Sequence, residues 1–120
     1  MSYDNTNIFA RILRGEIPNN TVYEDAHVLA FRDIRPQAKV HVLVIPKGAY
    51  VSAQDFGARA SEAEIAAMAR AISKITQELG IAESGYRLIA NTGGHGHQEV
   101  PHYHVHILGG QPIGKMVHLP

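Results

Sequence analysis

His102-Tyr103-His104-Val105-His106-Ile107-Leu108 is the stretch on which the reading of this chain turns. Histidine alternates with apolar residues along it, and alternation with a period of two marks a β-strand with two unlike faces. His102, His104 and His106 then share one face. Tyr103, Val105 and Ile107 share the other, an apolar side suited to packing on a helix. Positions two apart on a strand stand ~6.6–6.8 Å from each other, so the first and third histidines lie ~13 Å apart at the backbone. A zinc ion holds its nitrogen ligands at ~2.0–2.1 Å. Two neighbours on a strand can lean together to meet it, but three cannot do so without a bend. A metal site would therefore need a pair from this strand and a further ligand, for which His41 is available. A row of imidazoles suits an extended anion better, with one ring attacking phosphorus and the others donating to phosphate oxygens. Covalent catalysis by a neutral imidazole would split one difficult displacement into two easier ones.

The segments around this strand read as one small α+β domain. Immediately upstream, Asn91 to Pro101 is a polar loop containing Thr92-Gly93-Gly94-His95-Gly96. Because it leads into a strand rather than a helix, neither a Rossmann fingerprint nor a P-loop fits. It reads either as backbone N–H groups approaching a phosphate in a nest or as an ordinary connection. Gly85 to Ala90 is a further strand. Ser61-Glu62-Ala63-Glu64 makes a capping box for a long helix. Ile65, Met68, Ile72, Ile75 and Leu79 form its apolar stripe, and Gly80 supplies a left-handed stop. Lys39 to Ile45 is a β-branched run fit for a central strand, closed by Pro46 and Gly48. Thr21-Val22-Tyr23-Glu24 and His27-Val28-Leu29-Ala30-Phe31 read as short strands about a turn at Asp25-Ala26. Nearest the amino terminus, Asn7 caps a short helix with Ile8, Phe9, Ile12 and Leu13 on one face and Gly15 as a stop. Segregated helices and strands with short connections fit an antiparallel α+β sheet.

Composition narrows the chemistry. The 120 residues make one domain, and 45% hydrophobic content supports an unaided core. Lys+Arg and Asp+Glu are both 11, so the basic excess of a nucleic-acid binder is missing. The lack of cysteine excludes disulfides, thiolate metal sites and cysteine nucleophiles. The start, Met1-Ser2-Tyr3-Asp4-Asn5, has no secretory pattern, and no apolar run approaches the ~18 residues of a membrane span. A cytoplasmic protein without membrane or nucleic-acid partners is the expectation. Five of the eight histidines fall between positions 95 and 106. Histidine titrates nearest neutral pH, so such a cluster points to chemistry or metal.

The residues also resemble a known family. His102-Tyr103-His104-Val105-His106-Ile107-Leu108 is similar to the histidine-triad (HIT) signature, and Gly109-Gly110 after it resembles the Hint branch more than the Fhit branch. The resemblance runs from Asn7 to Gly110. It takes in Ile8-Phe9, Gly15-Glu16-Ile17-Pro18, Ala30-Phe31-Arg32-Asp33-Ile34, His41-Val42-Leu43-Val44-Ile45-Pro46-Lys47, Gly85-Tyr86-Arg87, Asn91 and Gln98. It implies a five-stranded antiparallel sheet with one long and one short helix, paired in a homodimer into ten strands. Residues 1–120 would form a single HIT domain, with 7–110 as its core and 111–120 as a tail that can influence the partner's site. The implied activity is metal-independent, cofactor-free hydrolysis of purine nucleoside phosphoramidates to the nucleoside monophosphate.

By position, the resemblance makes His104 the nucleophile, with His106 close to phosphate oxygens and His102 orienting the central ring. His41 would stand behind them. Asp33 would accept from ribose hydroxyls, and Phe9, Ile17, Phe31 and Ile34 would form an apolar slot for the base. Asn91 and Gln98 match polar groups near the phosphate. Two positions depart from the animal Hint pattern: Glu99 stands where a serine hydroxyl would meet the phosphate or leaving group, and His97 replaces a glycine. A carboxylate beside phosphate is repulsive unless paired, so Glu99 is expected to face the leaving amine. His27, His95, His118 and Asp25 are expected at the surface. Two alternatives stay open, dinucleoside polyphosphate hydrolysis and a nucleotide-binding regulatory module with vestigial hydrolysis.

Overall fold

A computed structural model describes residues 2–120; Met1, the first residue of the stretch tested for a secretory pattern, lies outside them. The elements are α1 (Ile8–Leu13), β1 (Thr21–Glu24), β2 (Val28–Arg32), β3 (Val40–Pro46), α2 (Ala53–Arg59), α3 (Glu62–Glu78), β4 (Tyr86–Ile89) and β5 (Val105–Gly109). The strands form one antiparallel sheet in the order β1-β2-β3-β5-β4. The expected α+β class is therefore right. The expectation of a single short helix is not, because α2 is a second one. Ser52 caps it by accepting from the Asp55 amide, and Phe56 is its one buried side chain. A seven-residue helix with one apolar anchor has too little periodicity to be read from sequence.

Alternation along the strands sorts the apolar residues into two cores. Val28, Ala30, Val42, Val44, Val105 and Ile107 face α3 and pack with Met68, Ala71 and Ile75. Leu29, Phe31, Leu43 and Ile45 face the opposite way, toward Phe9 and Ile12 of α1. His41 and His106 belong to this second face by the same alternation. The α3 side is thus closed by a long helix, while the other side is only partly covered by the six residues of α1. That asymmetry leaves room for a site.

The capping box on α3 forms as read, and Gly80 takes φ 72°. The stripe is shifted, however. Ile65 is 41% exposed, and Ala71 and Thr76 are buried in addition to Met68 and Ile75. Likewise Ile8 is exposed and Ala10 is buried on α1. The last strand begins at Val105, not His102. The register of β3 with β5 pairs Val44 with Val105. Continued by two residues, it would set Tyr103 against Pro46, which has no N–H for the ladder. Tyr103 donates to the Tyr50 carbonyl instead, at 2.7 Å. No helix among the described residues is long and apolar enough to cross a membrane.

Candidate active site

Three backbone segments converge on the open sheet face. β3 brings His41, β5 brings His106, and the bend and irregular residues before β5 bring His102 and His104. The ring centroids of His104 and His106 lie 5.0 Å apart, and those of His41 and His106 lie 5.1 Å apart. Phe9 of α1 stands edge-on to His104 at 5.0 Å.

Partners that can only donate or only accept fix which nitrogen of each ring carries hydrogen. His104 Nδ1 lies 2.7 Å from the His102 carbonyl, an acceptor, so Nδ1 holds the proton and Nε2 keeps its lone pair. His102 Nε2 lies 2.9 Å from the Pro46 carbonyl and must donate, leaving Nδ1 to accept from the Tyr3 hydroxyl. The Gln37 backbone N–H donates to His41 Nδ1 at 3.0 Å. His41 Nε2–H therefore donates to His106 Nδ1 at 2.9 Å, and the hydrogen of His106 falls on Nε2. Neither His104 Nε2 nor His106 Nε2 has a hydrogen-bond partner among the described residues. A bare nucleophilic nitrogen thus stands beside an N–H donor on the open face.

Burial keeps these rings neutral. It holds His104 and His41 below the ordinary imidazole range, with Asp33 opposing the shift in both and the His102 carbonyl opposing it in His104. Burial, helped by neighbouring His104 and His41, takes His106 down to about 4. Burial likewise takes His102 down to about 4. Neutral imidazole is the form that attacks phosphorus.

The remaining expected residues divide. Asp33 Oδ2 lies 3.5 Å from His41 Nε2, while Oδ1 accepts from the Arg35 amide at 2.7 Å. Phe9 and Phe31 are buried in one cluster with half-buried Ile17 packed against it. Ile34 stands apart, 89% exposed. Asn91 is half-buried at the loop's start. Gln98 donates to the Val51 and Val100 carbonyls at 2.7 and 3.0 Å and accepts from the Gly93 amide, so both its N–H groups brace the loop. The amides of His97 and Gln98 are bonded within the loop as well, which leaves a nest smaller than the sequence suggests. Gly96 packs so tightly that a Cβ there would come within 2.5 Å of the Thr92 carbonyl oxygen. His97 and Glu99, the two departures, contact each other at 3.2 Å.

His102 meets His104 through its main-chain carbonyl, while its own ring is taken by Tyr3 and Pro46. One expectation needs correcting. His27 and Asp25 are half-buried rather than at the surface, and Asp25 builds its turn by accepting from His27, Val28 and Tyr23. His95 and His118 are exposed as expected. Sequence reading missed Tyr3, Gln37 and the Pro46 carbonyl. Tyr3 lies 99 positions from His102, and no local pattern joins them.

Fold and site together define an α+β protein with a hydrogen-bonded row of imidazoles on one face of its sheet. The chain belongs to the HIT family, residues 14–113 matching the HIT domain. It is 55% identical over 116 residues to a 13.2 kDa HIT-like protein of Azospirillum brasilense, covering 97% of this chain and 95% of that one. It is 49% identical over 110 residues to the purine nucleoside phosphoramidase of Escherichia coli K12, covering 92% of each. Among solved structures, a HIT family hydrolase from Clostridium thermocellum superposes with a TM-score of 0.86 at 39% identity, covering 95% of this chain and 98% of that one.

Proposed function

We propose that this protein is a hydrolase of purine nucleoside phosphoramidates, acting through a nucleotidyl intermediate on His104 without a metal or cofactor. One observation carries the reading: the Nδ1–H of His104 is tied to the His102 carbonyl, which leaves the Nε2 lone pair on the open face. In the first step Nε2 bonds to the α-phosphorus, the P–N bond breaks and the amine departs with a proton taken from solvent. Water then cleaves the P–Nε2 bond, releasing the nucleoside monophosphate and returning a proton to solvent. His106 Nε2–H donates to a phosphoryl oxygen, and His41 supports it by holding His106 in that tautomer. Preorganised donors of this kind are often the largest catalytic contribution. The base lies over Phe9, Phe31, Ile17 and Ile34, with Asp33 on the ribose. Asn91, His97, Gln98 and Glu99 border the phosphate and the leaving amine. Similarity to the E. coli enzyme supports this substrate class.

Release of monophosphate from a nucleoside phosphoramidate by wild type, His104→Ala and His41→Ala tests the reading. It fails if His104→Ala retains near wild-type turnover.

A metal reading has one observation behind it: ligand atoms of Asp33, His41 and His106 lie within 4.8 Å of one another. A cation there would have to displace the proton shared by His41 and His106. Full activity of chelator-treated protein is the expected result, and loss restored by zinc would favour the metal. A homodimer is part of the proposal. Edge strand β4 leaves Tyr86 and Leu88 partly exposed, beside a cleft lined by Ile72, Ser73 and Thr76 of α3. Light scattering should give twice the chain mass. A cytoplasmic location completes the proposal.

A further inference from the structure

We propose that Tyr3 is a positioning residue for His104, acting through the hydroxyl it directs at His102. The inference rests on reading His104 as the nucleophile and adds a group outside the histidine row. His102 is fully buried, so each of its ring nitrogens needs a partner. One is the Pro46 carbonyl, which only accepts and so obliges Nε2 to carry the hydrogen. The other nitrogen is then a buried acceptor, and the Tyr3 hydroxyl is its donor, at 2.5 Å. Without that donor, Nδ1 would be a buried acceptor with no partner, and the alternative tautomer offers no escape, since it would turn a bare Nε2 toward the Pro46 oxygen, lone pair against lone pair. The ring would have to shift, carrying with it the main-chain carbonyl that holds His104 Nδ1–H at 2.7 Å.

The same hydroxyl reaches the opposite wall of the site. It accepts from Asn7 Nδ2 at 2.9 Å, and Asn7 caps α1 by accepting from the Ala10 amide. Phe9, in the first turn of that helix, packs edge-on against the His104 ring. Tyr3 thus joins the two supports of His104, its hydrogen-bond acceptor and its aromatic neighbour. Networks of this kind rigidify a site only when every member is satisfied.

Tyr3→Phe keeps the edge-on ring contact with His102 at 5.6 Å and removes only the hydroxyl. The readout is the imidazole nitrogen NMR spectrum at neutral pH, which needs no turnover. Wild type should show His102 as the Nε2–H tautomer and His104 as the Nδ1–H tautomer. In Tyr3→Phe His102 should stay Nε2–H, held by Pro46, with its Nδ1 signal shifted as an unbonded acceptor, while His104 should become a mixture. With a nucleoside phosphoramidate, kcat should fall about three- to tenfold at nearly constant KM, the scale of one hydrogen bond's net contribution. In a His102→Gln background, Tyr3→Phe should change neither the His104 signals nor kcat further. Unchanged His104 signals in Tyr3→Phe, accompanied only by a lower melting temperature, would overturn the proposal and make Tyr3 a structural anchor. If wild type failed to cleave phosphoramidates, the functional reading would fall while the tautomer comparison still decided this one.

Discussion

The seam between β3 and β5 and the loop from Asn91 to Pro101 both border His104, and they are built on opposite terms. Along the seam the backbone is laddered from Val40 to Val44 against Val105 to Gly109. His41 and His106 there are bonded to each other, the first buried and the second half-buried. On the loop, His97 takes φ 56°, a conformation uncommon for a residue with a side chain. Its contact with Glu99 joins side chains that are 87% and 77% exposed. His41 and His106 are set by a scaffold that cannot shift without unpairing strands, and His104 stands one residue before it. On the proposed reading, the surroundings of the leaving group are carried by a loop that can change at little cost to the fold. If this division is real, mutations at the seam should damage the chemistry whatever the substrate, and mutations on the loop should discriminate between substrates.

The largest effect should come from His104→Ala, with phosphoramidate turnover falling at least ~10³-fold, since loss of a covalent nucleophile leaves only binding and the remaining donors. Circular dichroism should stay unchanged. Next comes His106→Ala, with a fall of about 10²-fold at the low end for a positioned proton donor. It should appear in kcat for every leaving amine, and a loss confined to one amine would break the contrast between seam and loop. A third effect, on stability, follows from dryness. His102 stays neutral in the folded chain down to about 4, while the unfolded chain protonates it near 6.5. Between these values the unfolded state binds more protons, so stability is lost as pH falls through the window. From pH 7 to pH 5 this one ring should remove about 2 kcal/mol of unfolding free energy. Urea titrations at both pH values measure it, and His102→Asn should reduce the difference by that amount.

The contrast was half-legible in the sequence. Alternation in His102–Leu108 carried the pairing of an apolar face with a histidine face, because strand periodicity is local, and the β-branched run from Lys39 to Ile45 marked a central strand. The capping box at Ser61 and the glycine stop at Gly80 were legible for the same reason. The means by which His102 meets His104 was not. The contact is its backbone carbonyl, and a carbonyl leaves no trace in residue identity. Tyr3, Gln37 and Pro46 reach the histidines through chain reversals that no spacing rule encodes. Ile34 shows a different limit. It is apolar, beside Asp33 and inside a block resembling the family, yet it stands in solvent because the turn after Asp33 carries it off the sheet.

The smallest effect, and the one that most sharpens the contrast, belongs to Glu99. Its carboxylate favours the protonated form of both His104 and His106, as the weakest of the influences on each. On the proposed reading it opposes an incoming phosphate and attracts a cationic amine. His97 competes for it at 3.2 Å. Glu99→Gln removes the charge while keeping the shape. For phosphoramidates whose leaving amine carries a further positive charge, kcat/KM should fall about two- to fivefold, the scale of an exposed ion pair. For neutral aryl amines it should hold or rise slightly. Added salt should shrink the difference in wild type, since exposed charges are screened. Equal losses on both substrate classes would place Glu99 with the seam rather than with the loop, and the division of labour argued from the geometry would then be wrong.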